Sequence, residues 1–313
     1  MLYRFRGAIA GAVLGKMWAL RVASFPGKGL WALERSIDFR ELNRSHPFGN
    51  ADLVDLISKQ LIENGRLMLD EDSAASLTIP WADGNTAQLD ADVWVALLPI
   101  VLFFHEDDAR LASNLQQVTA TWKFSSEATE TVLGAGYAIA LALREALNPA
   151  ALVPQTLNYL NIFERDALSL QFPNLLQTLL DRGSSLESVK GLLGQQTSRQ
   201  NRSSSCTPAA ALAFYCFLET PEDFRVCLMR SLQAQYQPQL VATIAGAIVG
   251  AYNGYEGIPL SWRMALNPES ESKSEGLATQ LWAAWSGICD PTQSLDKLEK
   301  MAAVTAPGVL RPR

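Results

Sequence analysis

Glycine in a helix interior costs about 0.5–1 kcal/mol relative to alanine, so a chain that repeats it there needs something to offset the loss. Three stretches repeat it: Gly7, Gly11 and Gly15 in GAIAGAVLG, Gly134 and Gly136 in LGAGYAIA, and Gly246 and Gly250 in AGAIVGAYNG. The simplest compensation is close approach of one helix to another. These three stretches therefore predict the central, tightly packed helices of the fold.

Helical periodicity dominates the rest. In 52–64, Leu53, Leu56, Ile57 and Leu61 recur at three- and four-residue spacing, and Gly65 follows as a stop. The stretch 126–147 has an acidic start, a small-residue middle and an Asn148-Pro149 end. Helices are also predicted over 175–180, 185–193, 208–218, 221–232, 240–252, 276–285 and 295–303. Pro208 and Pro221 sit where a first-turn proline is tolerated. No segment alternates like a strand between hairpin signals, so the fold class is all-α. Three polar stretches read as loops: PWADGNTAQL over 80–89, GQQTSRQNRSSSCT over 194–207, and PESESKSE over 268–275. None forces a domain boundary. One compact domain over residues 1–305 and a flexible tail over 306–313 is the expected organisation.

Composition excludes several classes. The 313 residues carry 26 basic and 32 acidic side chains, a net charge of −6, which argues against a nucleic-acid backbone as partner. The basic N-terminus followed by a small apolar run has some features of a signal peptide, but Lys16 interrupts it and glycine replaces leucine. No apolar stretch reaches the roughly 20 residues of a membrane span; VWVALLPIVLFF is too short and contains Pro99. Cys206, Cys216, Cys227 and Cys289 form no CxxC pair and only His46 and His105 are present, so a zinc site is not expected. Buried free thiols in a reducing cytoplasm are the expected state.

The stretch TIAGAIVGAYNGYEGIPLSW closely resembles the C-terminal signature of the ADP-ribosylglycohydrolase family. FRGAIAGAVLG resembles its opening helix. LLPIVLFFHEDDARL with TETVLGAGYAIALALREAL resembles its central helix pair, and AALAFYCFLETPEDFRVCLMRSLQ the pair that follows. The resemblance implies a compact all-α fold. It also implies a cleft in which carboxylates and Thr or Ser oxygens hold two Mg²⁺ ions, hard cations that prefer oxygen ligands.

The acids that the resemblance implies are replaced. The glycine-aspartate pair after the first helix falls at Gly15-Lys16, where lysine has the wrong sign for a metal cluster. The T-D-D-T block aligns with FGNA, which includes Gly49 and Asn50. The D-x-D-T block falls without a gap at QPQL, where Gln237 and Gln239 replace both carboxylates and Leu240 the threonine. A neutral amide oxygen contributes no charge, and Pro238 reshapes the turn. The resemblance places the phosphate- and ribose-side loop at DGNTAQLDADVW, through Gly84, Asn85 and Thr86, with its arginine absent, and makes Asp83, Gly84, Asn85, Asp90 and Asp92 the candidate ligand-loop residues. The expectation is the family's fold without its Mg²⁺-dependent mechanism, no cofactor, and a binding, regulatory or scaffold role.

Alternatives stand beside this reading. Asp70, Glu71, Asp72, Asp83, Asp90 and Asp92 make either a relocated cation site for an active ADP-ribosyl hydrolase or a solvated acidic loop, in which Asp90 and Asp92 cap the next helix. Ser203, Ser204 and Ser205 lack the His and the glycine elbow of a nucleophile. Trp18, Trp31, Trp81 and Trp94 line a cleft or fill the core. Lys16 either replaces a metal's charge or is a surface lysine, and Met17 and Trp18 beside it suggest a plugged cleft. The partner is either a protein or an ADP-ribose-like ligand.

Overall fold

The computed structural model describes residues 1–35, 51–67, 89–163, 171–182, 185–200, 206–266 and 268–287, without the side chains of 194–200 and 268–270. The described residues are helical, with no strand among them. In chain order the helices are α1 (Leu2–Ser24), α2 (Leu30–Arg35), α3 (Ala51–Asn64), α4 (Ala91–Phe104), α5 (Asp108–Thr121), α6 (Ser126–Leu143), α7 (Leu152–Phe163), α8 (Gln171–Arg182), α9 (Leu186–Gln200), α10 (Cys206–Glu219), α11 (Phe224–Gln233), α12 (Pro238–Asn253), α13 (Leu260–Ala265) and α14 (Pro268–Ser286).

The glycine-rich helices α1 and α12 form the centre. They run antiparallel: a Cβ at Gly7 would strike the carbonyl of Gly250, one at Gly11 that of Gly246, and one at Gly15 that of Ala242. The small residues let the two backbones touch, and this contact offsets their low helix propensity. The glycines of α6 behave differently. Gly134 makes room for the Phe172 ring and Gly136 for the side chains of Leu115 and Val101. All three stretches are core, but only two form a backbone-to-backbone seam.

Around the seam, α4, α6 and α10 run parallel to α12. Phe5 of α1 meets His105, just past α4, with ring centroids 5.4 Å apart, while Lys16 of α1 pairs with Asp92 at the start of α4. The Arg4 guanidinium donates to the carbonyls of Ala142, Ala251 and Tyr252 at 3.0, 3.0 and 2.6 Å, tying together the C-terminal ends of α6 and α12. Phe217, late in α10, packs on Tyr252, late in α12. Thus four helices present their N-termini at the end of the bundle that holds Lys16 and their C-termini at the end that holds Arg4.

Several boundaries differ from the sequence reading. The PESESKSE stretch is the start of α14, not a link. Pro268 opens the helix, Lys273 donates to Asp55 of α3 at 2.8 Å, and Tyr255 donates to Glu271 at 3.1 Å. Tertiary ties override the loop-like composition. The polar run after Leu193 also stays helical to Gln200, because glutamine and arginine are good helix formers. Pro221 precedes its helix, since the Asp223 carboxylate accepts from the Val226 amide and sets the start at Phe224. The helix expected to run to 147 ends at Leu143, followed by Glu145 at φ 60°, whose side chain Tyr3 and Arg4 hold. The helix expected over 295–303 and the tail 306–313 lie outside the described residues.

Candidate functional site

The first turns of α4 and α12 and the latter half of α1 meet at the end where the four helix N-termini gather. Helix N-termini carry partial positive charge, so this end attracts anions in the absence of other charge. Lys16 stands here, and at 4% exposure it is no surface lysine. Its Nζ lies 2.5 Å from Asp92 Oδ1, and the Asp92 side chain is 39% exposed. An ammonium buried in this way needs a carboxylate, because an unpaired buried charge is strongly unfavourable.

Asp90 is the N-cap of α4, and its Oδ1 accepts from the amides of Asp92 and Val93, both at 2.9 Å. The capping role read from the sequence is therefore present. Burial pushes the Asp90 carboxyl above its ordinary value, and the Asp92 carboxylate adds to the rise. The two amides and Lys16 pull the other way.

A carboxyl raised in the folded state favours folding while protonated and loses that contribution as pH rises from 3.8 through the raised value. Asparagine caps helices about as well as aspartate. Asp90→Asn is therefore expected to gain stability relative to the parent as pH rises from 3.5 to 7, and urea unfolding of both chains at each pH measures it. A constant difference across that range would show that Asp90 does not titrate on folding.

At the start of α12, Gln237 takes a left-handed backbone, φ 37° and ψ 56°, and makes no side-chain cap bond. Pro238 disfavours the right-handed helical conformation for the residue before it, and a left-handed non-glycine residue is strained. The strain falls at one of the two positions where the resemblance implies carboxylates. Gln239 offers its backbone carbonyl to Thr243 Oγ1 at 2.6 Å. Leu240 is buried.

Gly49, Asn50, Asp83, Gly84 and Asn85 lie outside the described residues, as do Asp70, Glu71, Asp72 and Ser203–205. The structure thus brings Lys16, Asp90 and Asp92 together near the turn that carries Gln237, Gln239 and Leu240. Among the described residues no group of three or more His, Cys, Asp or Glu side chains is placed to hold a metal ion.

The aromatic candidates divide. Trp18 and Trp94 are fully buried, and Trp18 packs on Trp262 at 4.9 Å, so they belong to the core. Trp31 is exposed, with the Arg225 guanidinium 4.7 Å from its ring centroid. Trp81 lies outside the described residues. Met17 is buried beside Trp18. His105 is buried, with Nδ1 2.7 Å from the Leu102 carbonyl.

Sequence reasoning missed the Lys16–Asp92 pair. Its signal was a lone lysine inside an otherwise apolar helix, which requires a carboxylate partner if it is buried.

The architecture defines an all-helical protein built on an antiparallel glycine seam, with one polar end. Among solved structures, a chain described as an ADP-ribosylglycohydrolase-related protein complex shares this fold with a TM-score of 0.59. The match covers 91% of this chain and 98% of that one at 18% identity. The model of the ADP-ribosylglycohydrolase family matches residues 59–291, and the chain belongs to that family. No curated protein matches the sequence. The seam helix α1 precedes the matched residues, and it is its packing on α12 that makes it part of the fold.

The described residues of this end do not fit the pair of Mg²⁺ ions that the resemblance implies. An ammonium, already neutralised by one carboxylate, stands among them. Two amides and a buried leucine stand where the resemblance would put the D-x-D-T block.

Proposed function

We propose that this chain is a member of the family that does not carry out Mg²⁺-dependent hydrolysis and serves as a binding, regulatory or scaffold protein. The observation that carries the reading is the Lys16–Asp92 pair. A fixed ammonium supplies internally the positive charge that a metal brings from outside, and it engages a carboxylate that a metal would need. Two neighbouring dications require several negative charges to offset their repulsion. Gln237, Gln239 and Leu240 supply none.

The converging N-termini of α4, α6, α10 and α12 favour an anionic guest at this end, such as the phosphates of an ADP-ribose-like ligand. A protein partner is the other reading. The related solved structure, described as a protein complex, supports it by analogy. The acidic balance of the chain argues against nucleic acid. Cys206, Cys216 and Cys227 are buried free thiols, which fits a reducing cytoplasm, and no helix among the described residues is long and apolar enough to cross a membrane.

Titration calorimetry of the chain with ADP-ribose, with and without Mg²⁺, tests the reading. The expected result is that Mg²⁺ leaves the heat unchanged. Binding in both conditions identifies a metal-free sensor, and binding in neither turns the search to protein partners. Binding that appears only with Mg²⁺ overturns the proposal and favours a rebuilt hydrolase site around Asp90 and Asp92.

A further inference from the structure

The short helix α2 is tied to the protein more lightly than the core helices. It follows α1 through the link FPGKG, residues 25–29. Gly27 takes a left-handed backbone at φ 91°, and a Cβ at Gly27 or at Gly29 would meet nothing within 4 Å. Such a link can change direction at little steric cost. Of the six residues of α2 only Leu33 is buried, with Leu30 half-buried against the core. Trp31 is exposed. One buried leucine is a small apolar anchor.

The main polar tie comes from one side chain. The Glu34 side chain is 14% exposed, so its carboxylate needs partners. Its Oε1 accepts from Arg225 Nε at 2.5 Å and its Oε2 from Arg225 Nη2 at 2.6 Å. Trp262 Nε1 also donates to Oε1, at 3.3 Å. These bonds join α2 to α11 and α13. The paired guanidinium–carboxylate bonds are of the strong, directional kind. Trp262 is fully buried and packs on Trp18 at 4.9 Å and on Phe224 at 6.1 Å. Its indole N–H is thus the polar edge of a buried aromatic cluster, and Glu34 closes that edge.

These few contacts can break together. Glu34 and Leu33 leave on the same short helix, while the backbone contacts of the α1–α12 seam stay intact. Segments with few buried apolar contacts open in sub-global steps, well below the free energy of global unfolding. We infer that α2 is a strap that swings as a unit on the Gly27–Gly29 link, latched by the Glu34–Arg225 pair and released without unfolding of the α1–α12 core. Opening hydrates the Arg225 guanidinium and leaves the Trp262 N–H edge open to water. The latch is one ion pair with a partly exposed guanidinium, so ionic strength shifts the balance between closed and open forms.

Hydrogen exchange of the full chain tests this, by mass spectrometry for the backbone and by NMR for the Trp262 indole N–H. The amides of α2 are expected to be protected about 100-fold less, or weaker still, than those of α12. The Trp262 indole should show the same protection as α2, once each is corrected for its intrinsic rate, because one opening exposes both. Glu34→Gln keeps the shape and removes the charge. It should speed both exchanges about tenfold and leave α12 unchanged. Arg225→Lys keeps the charge and loses the fork, and should speed them about threefold. Raising NaCl from about 0.05 to about 1 M should speed them about twofold in the parent and not in Glu34→Gln. Protection of α2 equal to that of α12, unequal protection of α2 and the Trp262 indole, or equal acceleration along the whole chain in Glu34→Gln would overturn the inference.

Discussion

A Gly11→Ala chain is expected to lose about 3 kcal/mol or more of stability and, in a protein of ordinary marginal stability, to accumulate partly unfolded. The added methyl would fall on the carbonyl of Gly246, with the Phe224 ring 3.2 Å away on the other side. A flexible side chain can move aside, but a helix backbone cannot move alone. The α1–α12 seam would have to open, and Gly7 and Gly15 would lose their contacts with Gly250 and Ala242. Gly191→Ala provides the control. Gly191 lies in α9, and a Cβ there meets nothing within 4 Å. That substitution should stabilise by about 0.5–1 kcal/mol, the ordinary helix preference for alanine. Thermal unfolding of the two variants should therefore shift in opposite directions from the parent. Shifts of the same sign would mean that the seam is looser than its geometry indicates.

This pair of variants also shows how far the fold was legible in the sequence. The cost of glycine inside a helix identified α1, α6 and α12 as core, because only close packing offsets it. The partner of each glycine was not legible. Gly11 and Gly134 have equally small, apolar surroundings in the sequence, yet one faces a backbone and the other the Phe172 ring. Choice of partner depends on crossing geometry, which a one-dimensional pattern does not carry. The start of α14 was hidden for a related reason. PESESKSE has a loop composition, and its helix is fixed by Asp55 and Tyr255 from elsewhere in the chain. At the polar end, the residue types at 16, 237, 239 and 240 were readable one by one, as was the cap at Asp90. The bond between Lys16 and Asp92 was not, because nothing local joins residues so far apart in sequence.

That bond sets an unequal pair of mutational costs. Asp92→Asn removes the carboxylate 2.5 Å from an ammonium that is 4% exposed, leaving the capping Asp90 as the nearby acid. Removing one partner of a buried pair typically costs 3–5 kcal/mol, because the other charge stays in a poor solvent. Asp92 is partly open to water, so about 2–4 kcal/mol is expected here. Lys16→Met leaves the opposite orphan. Its carboxylate is 39% exposed and can recover hydration, and methionine fills most of the lysine stem's space, so the cost should be nearer 1 kcal/mol. The double variant should be more stable than Asp92→Asn alone, since it removes the stranded ammonium. Urea unfolding of the four chains gives the cycle and its coupling energy. If Lys16→Met were the more damaging change, the lysine would act mainly through the packing of its stem. The reading of Lys16 as an internal replacement for metal charge would then lose its support, because such a replacement requires the charge, not the stem, to hold α1 against α4.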